Sequence, residues 1–135
     1  MGKYYARDFD KCTFYKISKS TPEIKHLCCE PHYIEYKPNS LITDSGDNKL
    51  SFVKRENIIS CVTYGDQLTE IVFDSKNPLF DRIADEEIFF LPSAVGEYKS
   101  RAVITGQIYS LAEPKTIQRI IEMTHRNQLW ILANL

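Results

Sequence analysis

Thiol and imidazole side chains are concentrated in one short segment of this sequence. His26, Cys28, Cys29 and His32 lie within seven residues of one another. Zinc binds such ligands, but structural zinc sites usually take them from two well-separated pairs. The chain offers no second pair, and adjacent cysteines point in different directions. We therefore expect no metal and no cofactor here, and we interpret the segment as the end of a helix with buried thiols and surface histidines.

Cysteine and histidine could also combine as a catalytic nucleophile and its base. The combinations are Cys28 with His26 or His32, and Cys61 with His125. Proximity in sequence does not place a nucleophile beside its base in the folded protein. The sequence also lacks the Gly-x-Ser-x-Gly, phosphate-loop, Gly-x-Gly-x-x-Gly and His-Glu-x-x-His motifs. We expect no enzymatic activity; the alternative is a small enzyme whose site is assembled from scattered residues.

Acidic side chains are concentrated in the second half of the chain. Residues 66–97 contain eight acids and two bases, a local net charge of −6, whereas residues 98–135 have a net charge of +3. An acidic surface can dock a basic protein, because complementary potentials speed encounter and fix register. The predicted partner-binding residues are Asp74, Phe80, Asp81, Asp85, Glu86 and Glu87, with Phe80 as an apolar anchor. The alternative is that the apolar residues are core and the acids only solubilise the surface.

The N-terminal segment is both aromatic and basic. Tyr4, Tyr5, Phe14 and Tyr15 alternate with lysines and an arginine. Such a segment could stack single-stranded bases while its cations follow the phosphates. The net charge of the whole chain is −1, however, which argues against a general nucleic-acid binder. We regard these aromatic residues as core residues and keep nucleic-acid binding as a second alternative.

The elements that must position these residues are clearest between Lys99 and Arg126. Residues 101–109 alternate with the two-residue period of a strand, and a helix with an isoleucine face follows Glu113-Pro114. The predicted core is Ile104, Ile108, Ile117, Ile120 and Ile121. The apolar run at 129–132 either continues the helix, which we favour slightly, or forms a last buried strand.

The remaining elements follow from turn residues and apolar runs. We predict strands over 12–17 and 87–91, a short helix over 23–29, an extended segment over 33–36, a hairpin over 41–53, and a helical turn over 79–84 after Asn77-Pro78. Residues 57–64 and 67–74 are predicted to pair as strands around a two-residue turn at Gly65-Asp66. The predicted class is α+β: a mostly antiparallel, strongly curved sheet of about six or seven strands with one main C-terminal helix packed on it.

Length and composition are those of an ordinary folded domain. The 135 residues predict a single domain, 1–135, and the 43% of hydrophobic residues argues against disorder. The polar and aromatic start does not resemble a signal peptide, and no apolar run is long enough to span a membrane. We therefore expect a cytoplasmic protein with reduced cysteines.

These features together favour a non-enzymatic protein-binding module. The general profile of a small, motif-poor α+β chain with an acidic surface resembles that of small bacterial inhibitors, such as the immunity proteins that neutralise nuclease toxins. The resemblance is one of character and rests on no shared motif. It implies a basic, nuclease-like toxin as the partner, and the sequence leaves the partner's identity and the oligomeric state open.

Overall fold

The chain folds as eight strands and four helices in the part that the structure describes. The computed structural model describes residues 2–23, 33–44, 50–92 and 96–133, with side chains as far as Met123. The strands are β1 (Gly2–Tyr5), β2 (Cys12–Ser18), β3 (Leu41–Thr43), β4 (Leu50–Val53), β5 (Gln67–Phe73), β6 (Glu87–Leu91), β7 (Glu97–Ser100) and β8 (Ala102–Ser110). The 3₁₀ helices are η1 (Ala6–Phe9), η2 (Arg55–Tyr64) and η3 (Pro78–Arg82), and the α-helix is α1 (Pro114–Ala133).

The strands form one sheet in the order β1-β6-β7-β4-β2-β5-β8-β3. Each pairing in that sheet is antiparallel, and β1 and β3 are its two edges. The predicted α+β class with a C-terminal helix is confirmed, with eight strands instead of six or seven. The sheet is not closed, and its predicted strong curvature stays a prediction.

The two faces of the sheet bury separate hydrophobic clusters. The aromatic core contains Phe14, Phe52, Phe73 and Tyr98, with ring centroids 5.2 Å apart for Phe14 and Tyr98. The helix-side core contains Ile17, Val53, Ile58, Cys61, Leu68, Ile120 and Met123. Successive strand residues point to opposite faces, so the consecutive Phe52 and Val53 belong to different cores. The helices η2 and α1 contact each other and cover the helix-side core.

The predicted hairpin over 41–53 is wrong. β3 pairs with β8, in the register Leu41 with Ile104, and β4 pairs with β7 and β2. Turn residues at 44–48 are compatible with a hairpin, but they do not specify which strands pair. Of these turn residues, only Asp44 lies in the described part of the chain.

The predicted strand over 57–64 is also wrong, because this segment forms the 3₁₀ helix η2. Its buried residues Ile58 and Cys61 are three positions apart, which is the period of a 3₁₀ helix. The two-residue turn predicted at Gly65-Asp66 requires a positive φ at its first residue. Gly65 has a φ of 179°, an extended conformation, so this turn does not form. A glycine is nevertheless required at this position, because a Cβ atom would overlap the backbone carbonyl of Ser18.

The C-terminal helix is confirmed, but its buried face differs from the predicted one. It begins at Pro114 and runs through the apolar segment 129–132, as favoured. Ile120 is 1% exposed, whereas Ile117 is 42% and Ile121 is 49% exposed. Ile108 is half-buried, and Ile104 belongs to the aromatic core on the other face of the sheet. The predicted single isoleucine core is therefore wrong.

Several local predictions are confirmed. The strands over 12–17 and 87–91 form as β2 and β6. The helical turn after Asn77-Pro78 forms as η3, where the Asn77 Oδ1 accepts a hydrogen bond from the Leu79 backbone N–H at 3.0 Å. Residues 33–36 are described without a helix or strand, and the helix predicted over 23–29 lies almost wholly outside the described residues.

Two neighbouring isoleucines in α1 provide a matched test of this packing. Ile120→Ala should lower the free energy of unfolding by roughly 2 to 5 kcal/mol, because it leaves a cavity in the helix-side core. Ile121→Ala should change it by less than about 0.5 kcal/mol, because that side chain is half in solvent. Urea denaturation of both variants checks this; equal losses for the two would contradict the described orientation of α1.

Candidate functional site

The predicted partner-binding residues lie on η3, on its flanking segments and at the start of β6. Asp81 and Asp85 are exposed, while Asp74, Glu86 and Glu87 are half-buried. We call these five carboxylates the acidic surface. Phe80, in contrast, is 4% exposed and belongs to the aromatic core, so its predicted role as a docking anchor is wrong.

Buried apolar side chains fix the segment that carries the acidic surface. Phe80 and Ile83 are three positions apart in and just after the 3₁₀ turn, so both point to the aromatic core. The next buried anchor is Ile88 in β6, which is 0% exposed. The carboxylates of Asp81 and Asp85 therefore project from a segment that is held at both ends, which reduces the ordering cost of binding.

The N-terminal segment lies against this acidic segment. The backbone N–H groups of Ala6 and Arg7 donate hydrogen bonds to the carbonyls of Glu86 and Ala84, at 2.9 and 3.0 Å. Farther along, the Asp10 Oδ1 accepts a hydrogen bond from the Ser75 N–H at 2.7 Å. Residues on β1 and η1 thereby become part of the surface that the sequence assigned to residues 74–87 alone.

Two cations from the N-terminal segment pair with the acidic surface. The Arg7 guanidinium forms a salt bridge with Asp85, and the Lys3 Nζ lies 2.9 Å from the Glu87 Oε1. This hydrogen bond and the negative charge of Glu87 raise the pKa of Lys3. Arg7 also stacks over the Tyr5 ring, with its Cζ atom 4.5 Å from the ring centroid. Sequence reasoning missed Lys3, Tyr5 and Arg7; the signal was the complementary charge of β1 and β6, since such pairs stabilise neighbouring antiparallel strands.

These pairings neutralise part of the charge of the acidic surface. Residues 74–87 carry five acids and two bases, and residues 3–11 carry three bases and two acids. Residues 74–87 alone therefore carry a formal charge of −3, and residues 3–11, at +1, bring the two segments together to −2. The acidic surface is therefore a mixed ionic surface in which Asp81 and Glu86 have no salt bridge within the described ranges.

Cys61 has none of the properties of a catalytic nucleophile. The thiol is 4% exposed, and it donates a long hydrogen bond of 3.9 Å to the Asn57 carbonyl. Burial, and secondly the negative charge of Glu97, raise its pKa from 9.0 to about 11, against the opposing charge of Lys16. The reactive species of a cysteine is the thiolate, which is scarce in this environment at neutral pH. The side chain of His125, its proposed base, lies outside the described residues.

A small cavity adjoins Cys61, but it has no room for a substrate. Its volume is about 20 Å³, which is enough for one water molecule, and its lining includes Lys16, Ser51 and Glu97. The Lys16 Nζ donates a hydrogen bond to the Ser51 carbonyl at 2.9 Å, and the Glu97 Oε1 lies 3.4 Å from the Lys99 Nζ. The Lys16 amine and the Ser51 carbonyl thus satisfy each other, whereas the buried Glu97 Oε1 makes no hydrogen bond among the described residues.

The predicted metal and nucleic-acid residues are only partly described. His26, Cys28, Cys29 and His32 lie outside the described residues, and among those that are described no three metal-ligating side chains are grouped. Phe14 is buried in the aromatic core, and Tyr15 points to the opposite face of the sheet. The four N-terminal aromatic residues therefore do not form one stacking platform.

Comparison with known proteins adds no assignment to this geometry. Models of protein families, curated proteins and solved structures all fail to match the chain. Within the described residues, no helix is both long and apolar enough to cross a membrane.

The environment of Cys61 predicts how its thiol reacts. At pH 8 a thiol reagent should label the exposed Cys12 rapidly and Cys61 only on unfolding, and labelling of Cys12→Ser and Cys61→Ser variants assigns the two sites. Because the folded pKa is raised, the thiol's contribution to stability is complete below pH 9 and is lost as the pH approaches 11. Rapid labelling of Cys61 in the folded protein at pH 8 would contradict this environment.

Proposed function

We propose that this chain is a non-enzymatic, cytoplasmic protein-binding module that docks a basic protein on its acidic surface. The observation that carries the proposal is the exposure of Asp81 and Asp85 on a segment anchored by the buried Phe80, Ile83 and Ile88. Carboxylates fixed in this way attract a basic partner at little ordering cost. The function is inhibition of the partner, with a nuclease-like toxin as the matching class.

The acidic surface suits such a partner because of what a nuclease binds. A nuclease that acts on a polyanion needs a positive site, and carboxylates placed over that site exclude the phosphates. Tyr5 replaces Phe80 as the candidate anchor, because it is half-buried on β1 and stacks under Arg7 beside the carboxylates. Tyrosine is enriched among residues that dominate binding energy.

A charge-reversed variant tests this proposal. Asp81→Lys with Glu86→Lys should slow association with the partner at least about tenfold at low salt and reduce the salt dependence of the rate, because steering is lost. The matched control is Glu23→Lys with Glu113→Lys, which changes the net charge equally at exposed sites on other segments. The partner is first isolated with the native protein, and stopped-flow kinetics then compare the variants.

A second variant is expected to change the association rate in the opposite direction. Arg7→Gln removes the cation that pairs with Asp85, so association with a basic partner should become faster. Association that is equally fast for the native, charge-reversed and Arg7→Gln proteins would remove the acidic surface from the proposal. Turnover of a small substrate by the protein alone would contradict the non-enzymatic function itself.

A further inference from the structure

A second polar site lies on the helix side of the sheet, between β2, η2 and the first turns of α1. It is a cleft of about 250 Å³ lined by Tyr15, Arg55, Arg119, Glu122 and Met123. These residues come from three elements that are far apart in sequence and that meet because η2 and α1 cover the helix-side core. We call it the arginine cleft. None of its residues belongs to the acidic surface, so it stands independently of the proposed function.

Two guanidinium groups and a phenol share this cleft. The Arg119 guanidinium lies over the Tyr109 ring, with its Cζ atom 4.3 Å from the ring centroid, and this contact orients the group. Burial and then the charge of Glu70 raise the pKa of Tyr15, whereas the positive charges of Arg119 and Arg55 lower it. Both arginines therefore act on the Tyr15 hydroxyl from nearby.

Two carboxylates, those of Glu70 and Glu122, also act in or near the cleft. The Glu70 Oε1 accepts a hydrogen bond from the Gln107 backbone N–H at 2.8 Å, and the Glu122 Oε1 accepts one from the Gln118 Nε2 at 3.4 Å. Within the described residues, neither Arg55 nor Arg119 forms a salt bridge. The lining thus carries two positive charges, of Arg55 and Arg119, and one negative charge, of Glu122, and no salt bridge occupies the guanidinium N–H donors among the described residues.

We propose that the arginine cleft binds the phosphate monoester group of a small polar molecule. Each guanidinium presents five N–H donors, and the Tyr15 hydroxyl adds another. A single arginine fork satisfies a carboxylate, whereas a phosphate dianion has the charge and the oxygen atoms to occupy two forks at once. The donors of two guanidinium groups and a phenol therefore match a phosphate better than a carboxylate.

The space beside the arginine cleft indicates which chemical groups the ligand has in addition to its phosphate. A second concave region, of about 300 Å³, continues along α1 and is lined by Lys115, Gln118, Arg119 and Glu122. It shares Arg119 and Glu122 with the arginine cleft, so a ligand held by its phosphate can extend into it. All four lining residues carry polar end groups, and the Glu122 carboxylate can accept hydrogen bonds from hydroxyl groups. A sugar phosphate has this combination of groups.

Calorimetric and NMR titrations test the proposal with defined probes: inorganic phosphate, glucose 6-phosphate, glucose and a short phosphoserine peptide. Glucose 6-phosphate should bind more tightly than inorganic phosphate, glucose should not bind, and amide shifts should lie at Tyr15, Arg55 and Arg119. Arg55→Gln and Arg119→Gln should each weaken glucose 6-phosphate binding at least about tenfold, because each removes charge-assisted hydrogen bonds. The matched control is Lys54→Gln, which removes an exposed cation next to Arg55 but outside the lining, and should change the affinity less than twofold.

Two further variants separate binding from folding. Arg119→Lys keeps the charge but loses the planar fork, so it should fold normally and still bind several-fold more weakly. Glu122→Gln should weaken glucose 6-phosphate but not inorganic phosphate. The site would be overturned if the native protein and both arginine-to-glutamine variants bound glucose 6-phosphate with equal affinity. It would also be overturned if Lys54→Gln lost as much affinity as the arginine variants. Binding of the phosphoserine peptide without glucose 6-phosphate would overturn the small-molecule occupant.

Discussion

The central strands of the sheet bury both of their faces, and the rest of the structure depends on this constraint. Phe52 and Val53 are consecutive in β4, yet they belong to different cores. Since neither face is available to water, each needs its own cover. The helices η2 and α1 cover one side, and η3 contributes Phe80 to the other. The acidic surface and the arginine cleft both combine residues of the sheet with residues of the elements that cover its two cores.

The same constraint explains why polar groups in the interior are structural. Among the described residues, β2 and β4 are paired through Tyr15 and Val53 alone. The backbone N–H and C=O groups on either side of this pair therefore need other hydrogen-bond partners. The buried Lys16 donates a hydrogen bond to the Ser51 carbonyl, and Ser18 and Thr69 share one between their hydroxyl oxygens at 2.9 Å. The Lys16 amine is held between β2 and β4 by this hydrogen bond, so it has little freedom to move toward a substrate.

Sequence patterns predicted the features that depend on neighbouring residues. The alternation over 12–17, the Asn77-Pro78 cap and the helix from Pro114 are all local. Sequence patterns failed where contacts with residues distant in sequence determine the structure. β3 pairs with β8 and not with β4. Residues 57–64 are helical, despite their strand-forming composition, because they pack on the sheet. For the candidate site, the exposure of Asp81 and Asp85 followed from their charge. Sequence patterns did not predict the burial of Phe80. They also did not predict the pairing of Asp85 with Arg7, which is 78 positions away in sequence.

The positions of the charges in the folded protein also determine which kinds of ligand its net charge argues against. The chain carries a net charge of −1, which argues against wrapping a nucleic acid, because a polyanion requires many cations along one surface. Electrostatic effects are screened over about 8 Å at physiological salt, so a ligand responds only to the groups near it. The salt bridges of Lys3 and Arg7 weaken the acidic surface, while Arg55 and Arg119 line a separate cleft together with Glu122. A single phosphate group needs only those local charges, so a net charge of −1 is compatible with both of the binding surfaces that we propose.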